Sequence, residues 1–230
     1  MTQTNSRLDY LRQFPLFAGL DEGTLQRIND LALERRYKGG MFIFLQGEPV
    51  DSVYFLRTGM VKATRTSEDG REQIMSILYP GDFFPHVGFL GGGPAPGTTM
   101  TMTETVLSVI RREDFLRLVK ENPTLFVNLL QTLERRIRIL QDQVESLGLR
   151  SVPSRLAGIL LRLAEERGEK RKNGVFVRLP LSQQELAYMV GTTRETVSRV
   201  LSELRRQGAI SLERDGILIL NAETLARWGE

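Results

Sequence analysis

The chain has no cysteine and only one histidine, His86, among its 230 residues. Without cysteine there is no disulfide, no thiolate zinc site, no cysteine-ligated iron–sulfur cluster and no cysteine nucleophile. A metal site rich in histidine cannot be formed, and a Ser-His-Asp triad would have to be built around His86. The composition therefore disfavours hydrolase chemistry.

Long apolar segments are also missing. No run of eighteen apolar residues occurs, and the polar segment from Met1 to Arg12 lacks the apolar stretch of a signal peptide. We therefore expect a cytoplasmic protein with no membrane partner. Hydrophobic residues make up 41% of the chain and charged residues 26%, which is typical of a globular protein with a core, and the length favours two modest domains.

Positive charge is concentrated near the end of the sequence. From Arg150 onward there are fourteen Lys and Arg against ten Asp and Glu, whereas residues 1–149 contain seventeen against eighteen. A basic excess confined to the last third is typical of a nucleic-acid-binding module that follows a neutral one.

The pattern of apolar residues changes twice along the first 149 residues. Residues 7–35 have helical spacing in two stretches, the second opened by Asp21-Glu22; the apolar positions are Leu11, Phe14, Leu16, Phe17, Leu25, Ile28, Leu31 and Leu33. From Arg36 to Arg111, short runs such as Met41–Leu45, Ser52–Leu56 and Gln73–Leu78 are separated by glycine-rich turns. This predicts a β-barrel or jelly roll, with a loop at Gly91–Gly97.

A heptad pattern follows Asn122-Pro123. Its apolar positions alternate in steps of four and three and predict a long helix with a dimer seam: Phe126, Leu130, Leu133, Ile137, Leu140, Val144 and Leu147. The alternative is that this stripe packs on its own barrel. We expect Gly148 to end the helix and Pro153 to lie at the start of the next one.

The last segment contains a helix-turn-helix pattern. After a helix at Ser154–Arg167, a basic loop at Gly168–Gly174 and a strand at Val175–Leu179, Ser182 and Glu185 form a predicted capping box. Leu186, Ala187 and Val190 form the inner face of the first helix. Gly191 supplies the turn, Thr192 or Thr193 caps the second helix, and the inner face of that helix is Val197, Val200, Leu201 and Leu204.

The second helix has the side chains of a recognition helix. Arg194, Glu195, Ser198 and Arg199 project from its outer face near the N-terminus; Arg can donate to guanine and Glu can accept from cytosine. The segment 210–219 contains an Asp-Gly turn and predicts a hairpin wing. The alternative is an ordinary helical hairpin with a charged face. The complete candidate DNA-binding set adds Ser182, Gln183, Thr193 and Thr196.

Over nearly its whole length the chain resembles the cyclic-AMP receptor protein/FNR (CRP/FNR) family of transcription factors. The resemblance is carried by Gly47-Glu48, Gly59, Gly81-Asp82, the helix after Asn122-Pro123 and the segment from Gly191 to Arg199. It implies an α+β fold: a cyclic-nucleotide-binding-like β jelly roll at 1–122, a dimerisation helix at 123–149 and a winged helix-turn-helix at 150–230. It also implies a homodimer that reads a TGTGA-like inverted repeat, with some allowance for TTGAT-like bases.

The resemblance places an effector pocket between the barrel and the long helix. The candidate residues are Gly81, Asp82, Phe84, His86, Arg136, Leu140 and Gln141. At the positions where cyclic-AMP receptors have their ribose-binding Glu, phosphate-binding Arg-Ser/Thr pair and adenine-contacting Thr-Ser pair, this chain has His86, Pro96-Gly97 and Leu140-Gln141. A buried phosphate needs a cationic or well-placed donor. The sequence therefore argues against cyclic AMP, and no cofactor is expected.

Several effectors remain open. CO-sensing relatives have a haem-ligating histidine where this chain has His86, but they also carry a nearby Cys and an N-terminal Pro, where this chain has Phe84 and Met1-Thr2. The simpler interpretation is that His86 only donates or accepts a hydrogen bond. Two interpretations of the effector then stay open: another small molecule, or DNA binding that needs no ligand.

Two other functions are weaker. A metal-dependent enzyme of the cupin type would need several histidines, and the chain has one. A nucleotide sensor without transcriptional output is disfavoured because the nucleotide contacts are missing while the DNA contacts are present. In the family, the position of the exposed loop from Glu165 to Gly174 contacts RNA polymerase, which suggests an activator.

Overall fold

The computed structural model describes residues 8–67, 70, 72–149 and 151–228, and for residues 142–149 only the backbone. The chain divides into two compact units, Met1–Arg138 and Ile139–Glu230. In the first unit, two 3-10 turns, Leu11–Gln13 and Pro15–Phe17, precede these elements: α1 (Glu22–Leu31), β1 (Leu33–Tyr37), β2 (Phe42–Phe44), β3 (Ser52–Thr58), β4 (Val61–Thr66), β5 (Glu72–Leu78), β6 (Phe83–Phe84), β7 (Thr98–Thr101), β8 (Thr105–Arg111) and α2 (Arg112–Glu121).

The long helix α3 (Pro123–Leu149) crosses from the first unit into the second. The remaining elements are α4 (Val152–Arg167), β9 (Glu169–Arg171), β10 (Gly174–Arg178), α5 (Gln183–Val190), α6 (Arg194–Arg206), β11 (Ile210–Glu213), β12 (Gly216–Ile219) and α7 (Ala222–Arg227).

The strands of the first unit form two four-stranded antiparallel sheets. Their orders are β1-β8-β3-β6 and β2-β7-β4-β5. Apolar side chains from both sheets meet in one buried cluster, which includes Leu56 and Leu107 from one sheet and Val61 and Leu78 from the other. Sheets pack in this way when each has one apolar face, so the predicted jelly-roll fold is confirmed.

A second cluster joins the N-terminal helical segment to the barrel. Phe14 and Phe17 pack on Phe55 of β3, with ring centroids 5.6 and 5.0 Å away, and Phe115 of α2 lies 5.7 Å from the same ring. Leu125 and Leu129 from the start of α3 are buried in this cluster too. The aromatic residues therefore fix the helical segments to one face of the barrel.

Arg112, at the start of α2, braces the loop that follows β6. Its Nε donates to the carbonyl oxygen of Phe89 at 2.6 Å, and a terminal nitrogen donates to that of Leu90 at 3.3 Å. Phe89 is itself fully buried. The predicted loop at Gly91–Gly97 is confirmed, and its neighbouring carbonyls are held from the helix side.

Three sequence predictions about element boundaries were wrong. Leu33 begins strand β1 and is 64% exposed, because α1 ends at Leu31 and the backbone is already extended at Ala32. Gly148 lies inside α3, which continues to Leu149. The segment Gly168–Gly174 is not a loop throughout, since β9 pairs with β10 as an antiparallel hairpin.

The second unit combines helices with one sheet of order β11-β12-β10-β9. The predicted strand near Val175–Leu179 is β10, and β11 and β12 form the predicted wing. Glu213 pairs with Gly216, so the two loop residues are Arg214 and Asp215 rather than the Asp-Gly pair. A helix-turn-helix packed beside this hairpin gives the second unit its winged architecture.

Gly59 is required by the tight turn between β3 and β4. Its φ is +90°, and an added Cβ would collide with the carbonyl oxygen of Glu104 and lie 2.8 Å from the Cα of Thr105. We expect Gly59→Ala to lower the free energy of unfolding of the first unit by at least about 2 kcal/mol, because strain and collision add. Urea unfolding measures this. Gly40→Ala is the control, since Gly40 has φ +81° with nothing within 4 Å; an equal loss in both variants would assign the whole effect to φ.

Candidate nucleic-acid interface and effector region

The first helix of the helix-turn-helix, α5, begins with a complete capping box. The Ser182 hydroxyl accepts from the backbone N–H of Glu185 at 3.2 Å, and the Glu185 carboxylate accepts from the Ser182 backbone N–H at 2.9 Å. Two otherwise unpaired backbone donors are thereby satisfied. Ser182, predicted to bind DNA, is thus also the residue that fixes where α5 starts.

The turn between the two helices is held by a glycine and an arginine. Gly191 has φ +67° and ψ +52°, the left-handed conformation that ends α5. The Nε of Arg155, on α4, donates to the carbonyl oxygen of Val190 at 3.0 Å, and Val190 is the last residue of α5. No sequence motif marks Arg155, because its partner is thirty-five residues away, so the sequence analysis missed it.

Thr193 caps the recognition helix α6. Its hydroxyl oxygen accepts from the backbone N–H of Thr196 at 3.3 Å and lies 3.1 Å from the Thr196 hydroxyl. Of the two threonines considered from the sequence, Thr193 is the N-cap. The cap fixes the first turn of α6, from which the candidate base-contacting side chains project.

The two faces of α6 differ as the sequence predicts. The apolar residues are buried: Val197, Val200, Leu201 and Leu204. On the other side Arg194, Glu195 and Arg199 are exposed, and Ser198 is partly exposed. The described part of the chain holds no ion pair of Arg194 or Arg199. Both guanidinium groups are thus available to an external acceptor such as guanine.

Glu195 is held in its anionic form at the start of α6. Its own backbone N–H and the Thr193 hydroxyl donate to the carboxylate, and these hydrogen bonds, with the nearby charge of Arg194, lower the pKa of Glu195. A helix N-terminus favours negative charge for the same reason. The ionised carboxylate can therefore accept a hydrogen bond from the amino group of cytosine.

The hairpin of β9 and β10 carries the basic cluster predicted as a loop. Arg171 stacks on the ring of Phe176, with its guanidinium carbon 3.7 Å from the centroid, and forms an ion pair with Glu213 at 2.8 Å. The cation–π stacking holds Arg171 against the neighbouring strand of its own hairpin, and the ion pair ties the hairpin to the wing strand β11. Lys170 and Lys172 are exposed beside it.

Part of the heptad stripe on α3 is exposed in the single chain. The exposed fractions are 49% for Phe126, 50% for Leu130, 56% for Ile137 and 40% for Leu140, while Leu133 is partly buried against the barrel core. Val144 and Leu147 lie outside the residues whose side chains are described. The helix instead uses Leu125 and Leu129 to pack on its own unit, which leaves an apolar edge uncovered.

The candidate effector residues His86 and Arg136 both belong to the first unit. His86 contacts the ring of Phe83, centroid to centroid 4.9 Å, and a terminal nitrogen of Arg136 donates to the carbonyl oxygen of Met75 at 3.4 Å. Burial, with the charges of Arg136 and Arg135, lowers the pKa of His86 to about 4. His86 is therefore neutral at pH 7.

Other candidate effector residues have structural roles. The Asp82 carboxylate accepts from the backbone N–H of Tyr79 at 2.8 Å, and the Gly81 N–H donates to the carbonyl of Leu56 at 2.9 Å, so both shape the turn before β6. Phe84 is 2% exposed and stacks on Tyr54, centroid to centroid 5.3 Å. Phe84 is therefore a core residue. The last two candidates, Leu140 and Gln141, belong to the second unit.

The neutral state of His86 predicts a pH effect on stability. The folded pKa of about 4 lies below the usual value of 6.5, so the unfolded chain takes up a proton first as pH falls. We expect the folded state to lose about 2 kcal/mol of stability between pH 7.5 and pH 5 from this group. Urea unfolding at both pH values measures it. His86→Gln cannot titrate; an equal pH-dependent loss in this variant would contradict the assignment.

The described residues offer neither a membrane-spanning helix nor a cluster of metal-ligating side chains. None of the helices there combines the length and apolar character of a membrane span. Within the same residues, no three or more His, Cys, Asp or Glu side chains are grouped as they would be to hold a metal ion.

A jelly-roll unit linked by a long helix to a winged helix-turn-helix defines a DNA-binding regulator with a sensor-type domain. The cyclic nucleotide-binding domain family matches residues 34–122, and the Crp-like helix-turn-helix domain family matches residues 154–228. Together these matches cover more than half of the chain. The chain belongs to the CRP/FNR family, whose members are transcription regulators and not enzymes.

Individual relatives are similar to this chain over most of their length. A CRP-like cAMP-activated global transcriptional regulator of Mycobacterium tuberculosis is 31% identical over 95% of this chain and 98% of its own. The global nitrogen regulator of Nostoc sp. is 33% identical over 80% and 84%. The structure of FixK2 from Bradyrhizobium japonicum matches with a TM-score of 0.77 and 26% identity, covering 86% of this chain and 98% of that one.

Proposed function

We propose that this protein is a homodimeric, sequence-specific regulator that reads a TGTGA-like inverted repeat through α6. Residues 1–122 serve as the sensing domain, 123–149 as the dimerisation helix and 150–230 as the DNA-binding domain. One observation carries the proposal: Arg194, Glu195 and Arg199 lie on the exposed face of a capped helix whose opposite face is buried. That arrangement presents donors and an acceptor to base edges at fixed positions.

Contacts outside the base edges complete the interface. Ser182, Gln183, Thr193 and Thr196 lie at the N-termini of α5 and α6, where backbone N–H groups and hydroxyls suit phosphate oxygens. The exposed hairpin with Lys170 and Lys172 is the candidate surface for RNA polymerase. A polymerase contact there would make the protein an activator. We place the protein in the cytoplasm. Two copies of α6 in a dimer would read two half-sites about one helical turn apart.

Binding of purified protein to a labelled TGTGA-N6-TCACA duplex tests the proposal. We expect selective binding over a scrambled duplex at fixed near-physiological salt, because the phosphate contribution is shared and only base contacts differ. Equal affinity for both duplexes would reject this operator. Selection from random DNA would then show whether TTGAT-like bases are preferred.

We propose that the effector, if one is required, is not cyclic AMP. The Mycobacterium tuberculosis relative is named as cAMP-activated, so a cyclic nucleotide is the alternative to be tested. In this chain the region of the phosphate pair is Pro96-Gly97, and a Cβ on Gly97 would collide with the carbonyl of Thr64. A side chain that could hold phosphate has no room at that position, which supports a different ligand or none.

Two titrations separate the candidate effectors. Isothermal titration with cyclic AMP is expected to give no binding heat; micromolar binding would overturn the proposal. Haem is tested by absorbance after reconstitution: a Soret band that His86→Ala abolishes would establish a haem sensor, and a colourless preparation would exclude it. If neither binds while the operator is bound selectively, the protein recognises DNA without them.

A further inference from the structure

A cleft opens beside the recognition helix, within the second unit. It lies between the first turn of α4 and one side of α6, close to Trp228, and its volume is about 680 Å³. Small organic ligands occupy cavities of this size. Two of its lining residues, Thr196 and Arg199, also belong to the candidate DNA-binding set.

The walls of the cleft are partly apolar. Val152 and Pro153 contribute from α4, Val200 from α6, and Trp228 contributes an indole whose N–H donates to the Gln207 side chain at 2.9 Å. This hydrogen bond orients the ring. An indole beside aliphatic side chains favours a flat, apolar occupant.

Charge at the cleft is unbalanced. Glu203 accepts two hydrogen bonds from Arg206, at 2.9 and 2.6 Å, and one from Gln207 at 2.7 Å, so its carboxylate is fully engaged. Arg199 also lines the cleft, and in the described part of the chain no carboxylate pairs with it. The cleft therefore carries one uncompensated positive charge, of the kind that binds a carboxylate through two parallel hydrogen bonds.

We propose that this cleft binds a small aromatic monoanion, with its carboxylate on Arg199 and its ring against Trp228 and Val200. The site lies on the DNA-binding domain and is separate from the barrel. Its effect on transcription rests on the proposed role of Arg199 in DNA recognition, because an anion on Arg199 would compete with the operator for the same guanidinium group.

The binding site can be tested without DNA, since Trp228 is the only tryptophan in the chain. The probe is 4-bromobenzoate, whose bromine quenches tryptophan fluorescence on close approach. We expect saturable quenching at about millimolar concentration. The uncharged 4-bromobenzamide is expected to bind about tenfold more weakly, because it loses a charge-assisted contact. Linear, unsaturable quenching that is equal for both probes would overturn the proposal.

Matched variants locate the site. Val152→Glu places a carboxylate in the cleft at the first turn of α4, where negative charge is compatible with the helix, and is expected to weaken 4-bromobenzoate binding about tenfold or more. Val152→Gln has a similar shape without the charge and should bind within about twofold of the parent. Lys120→Gln makes the same change in net charge in the other unit and should have no effect. Equal affinity in Val152→Glu and the parent would reject the cleft.

Competition with DNA is measured separately. Operator affinity is determined by anisotropy with and without saturating 4-bromobenzoate, at constant ionic strength set with sodium chloride. A lower operator affinity supports competition at Arg199. An unchanged affinity, with saturable quenching retained, overturns the competition and leaves the binding site established by fluorescence.

Discussion

Replacing Arg199 with alanine is expected to weaken binding to the operator by about thirtyfold or more. A bidentate contact from arginine to guanine contributes about 1–3 kcal/mol of discrimination, and an inverted repeat has one such contact in each half-site. The Arg199 side chain is exposed and has no ion pair within the described part of the chain, so the fold and the dimer should be unaffected. Fluorescence anisotropy with operator and scrambled duplexes at one salt concentration measures the change.

The matched control is Arg205→Ala. Arg205 is an exposed arginine on the same helix, near its C-terminal end, so the variant loses the same charge far from the predicted base contacts. We expect it to weaken binding to both duplexes alike, through the salt-dependent phosphate contribution. If Arg199→Ala weakened the two duplexes equally as well, Arg199 would be a phosphate contact and not a base contact.

Replacing Ile137 with glutamate is expected to raise the dimer dissociation constant by about a hundredfold or more. Ile137 is 56% exposed in the single chain and lies on the heptad stripe, so in a dimer each copy would bury an unpaired carboxylate close to its symmetry mate. Ile137 is not among the residues that form or pack on the buried clusters of the described chain, so the helical content should persist. Sedimentation equilibrium measures association, and circular dichroism checks the fold.

Gln131→Glu is the control for the helix. Gln131 is exposed on α3 but lies outside the stripe, so the same charge should leave association unchanged. Operator affinity is expected to fall with Ile137→Glu and not with Gln131→Glu, because two half-sites must be held by one dimer. An unaltered dimer in Ile137→Glu would show that the exposed edge of α3 has another partner.

The helix-turn-helix could be predicted because its determinants are local. Ser182 and Glu185 are three residues apart, Gly191 satisfies a backbone requirement of its own position, and the inner face of α6 follows from helical periodicity. Neighbours in sequence decide each of these features. The jelly roll was predicted as a class from short apolar runs and turns, but strand order depends on pairings between distant segments and could not be derived.

The errors come from competition between local signals and tertiary contacts. Leu33 continues the helical spacing of α1, yet it pairs across to Val109 as the start of β1. Gly148 is a common helix terminator, but α3 continues past it. The segment around Arg171 looks like a solvated basic loop, while stacking on Phe176 and pairing with Glu213 make it part of a sheet. For Leu33 and Arg171 a partner remote in sequence decides the conformation.

The effector region shows a different limit. Alignment with the family pattern indicated which nucleotide contacts are missing, and in the structure burial and the charges of Arg136 and Arg135 keep His86 neutral. The structural roles of Asp82 and Phe84 could not be predicted from the sequence. The residue type alone does not tell whether a carboxylate stabilises a turn or binds a ligand, or whether an aromatic ring fills the core or lines a pocket.

The two hydrogen bonds from Arg112 to the carbonyls of Phe89 and Leu90 link the barrel loop after β6 to helix α2. Arg112 is the first residue of α2, and α2 is followed at Asn122 by α3. These bonds connect the loop after β6 to the helix that leads through Asn122 into α3. A displacement of the loop relative to α2 would require the Arg112 side chain to follow it or both hydrogen bonds to break.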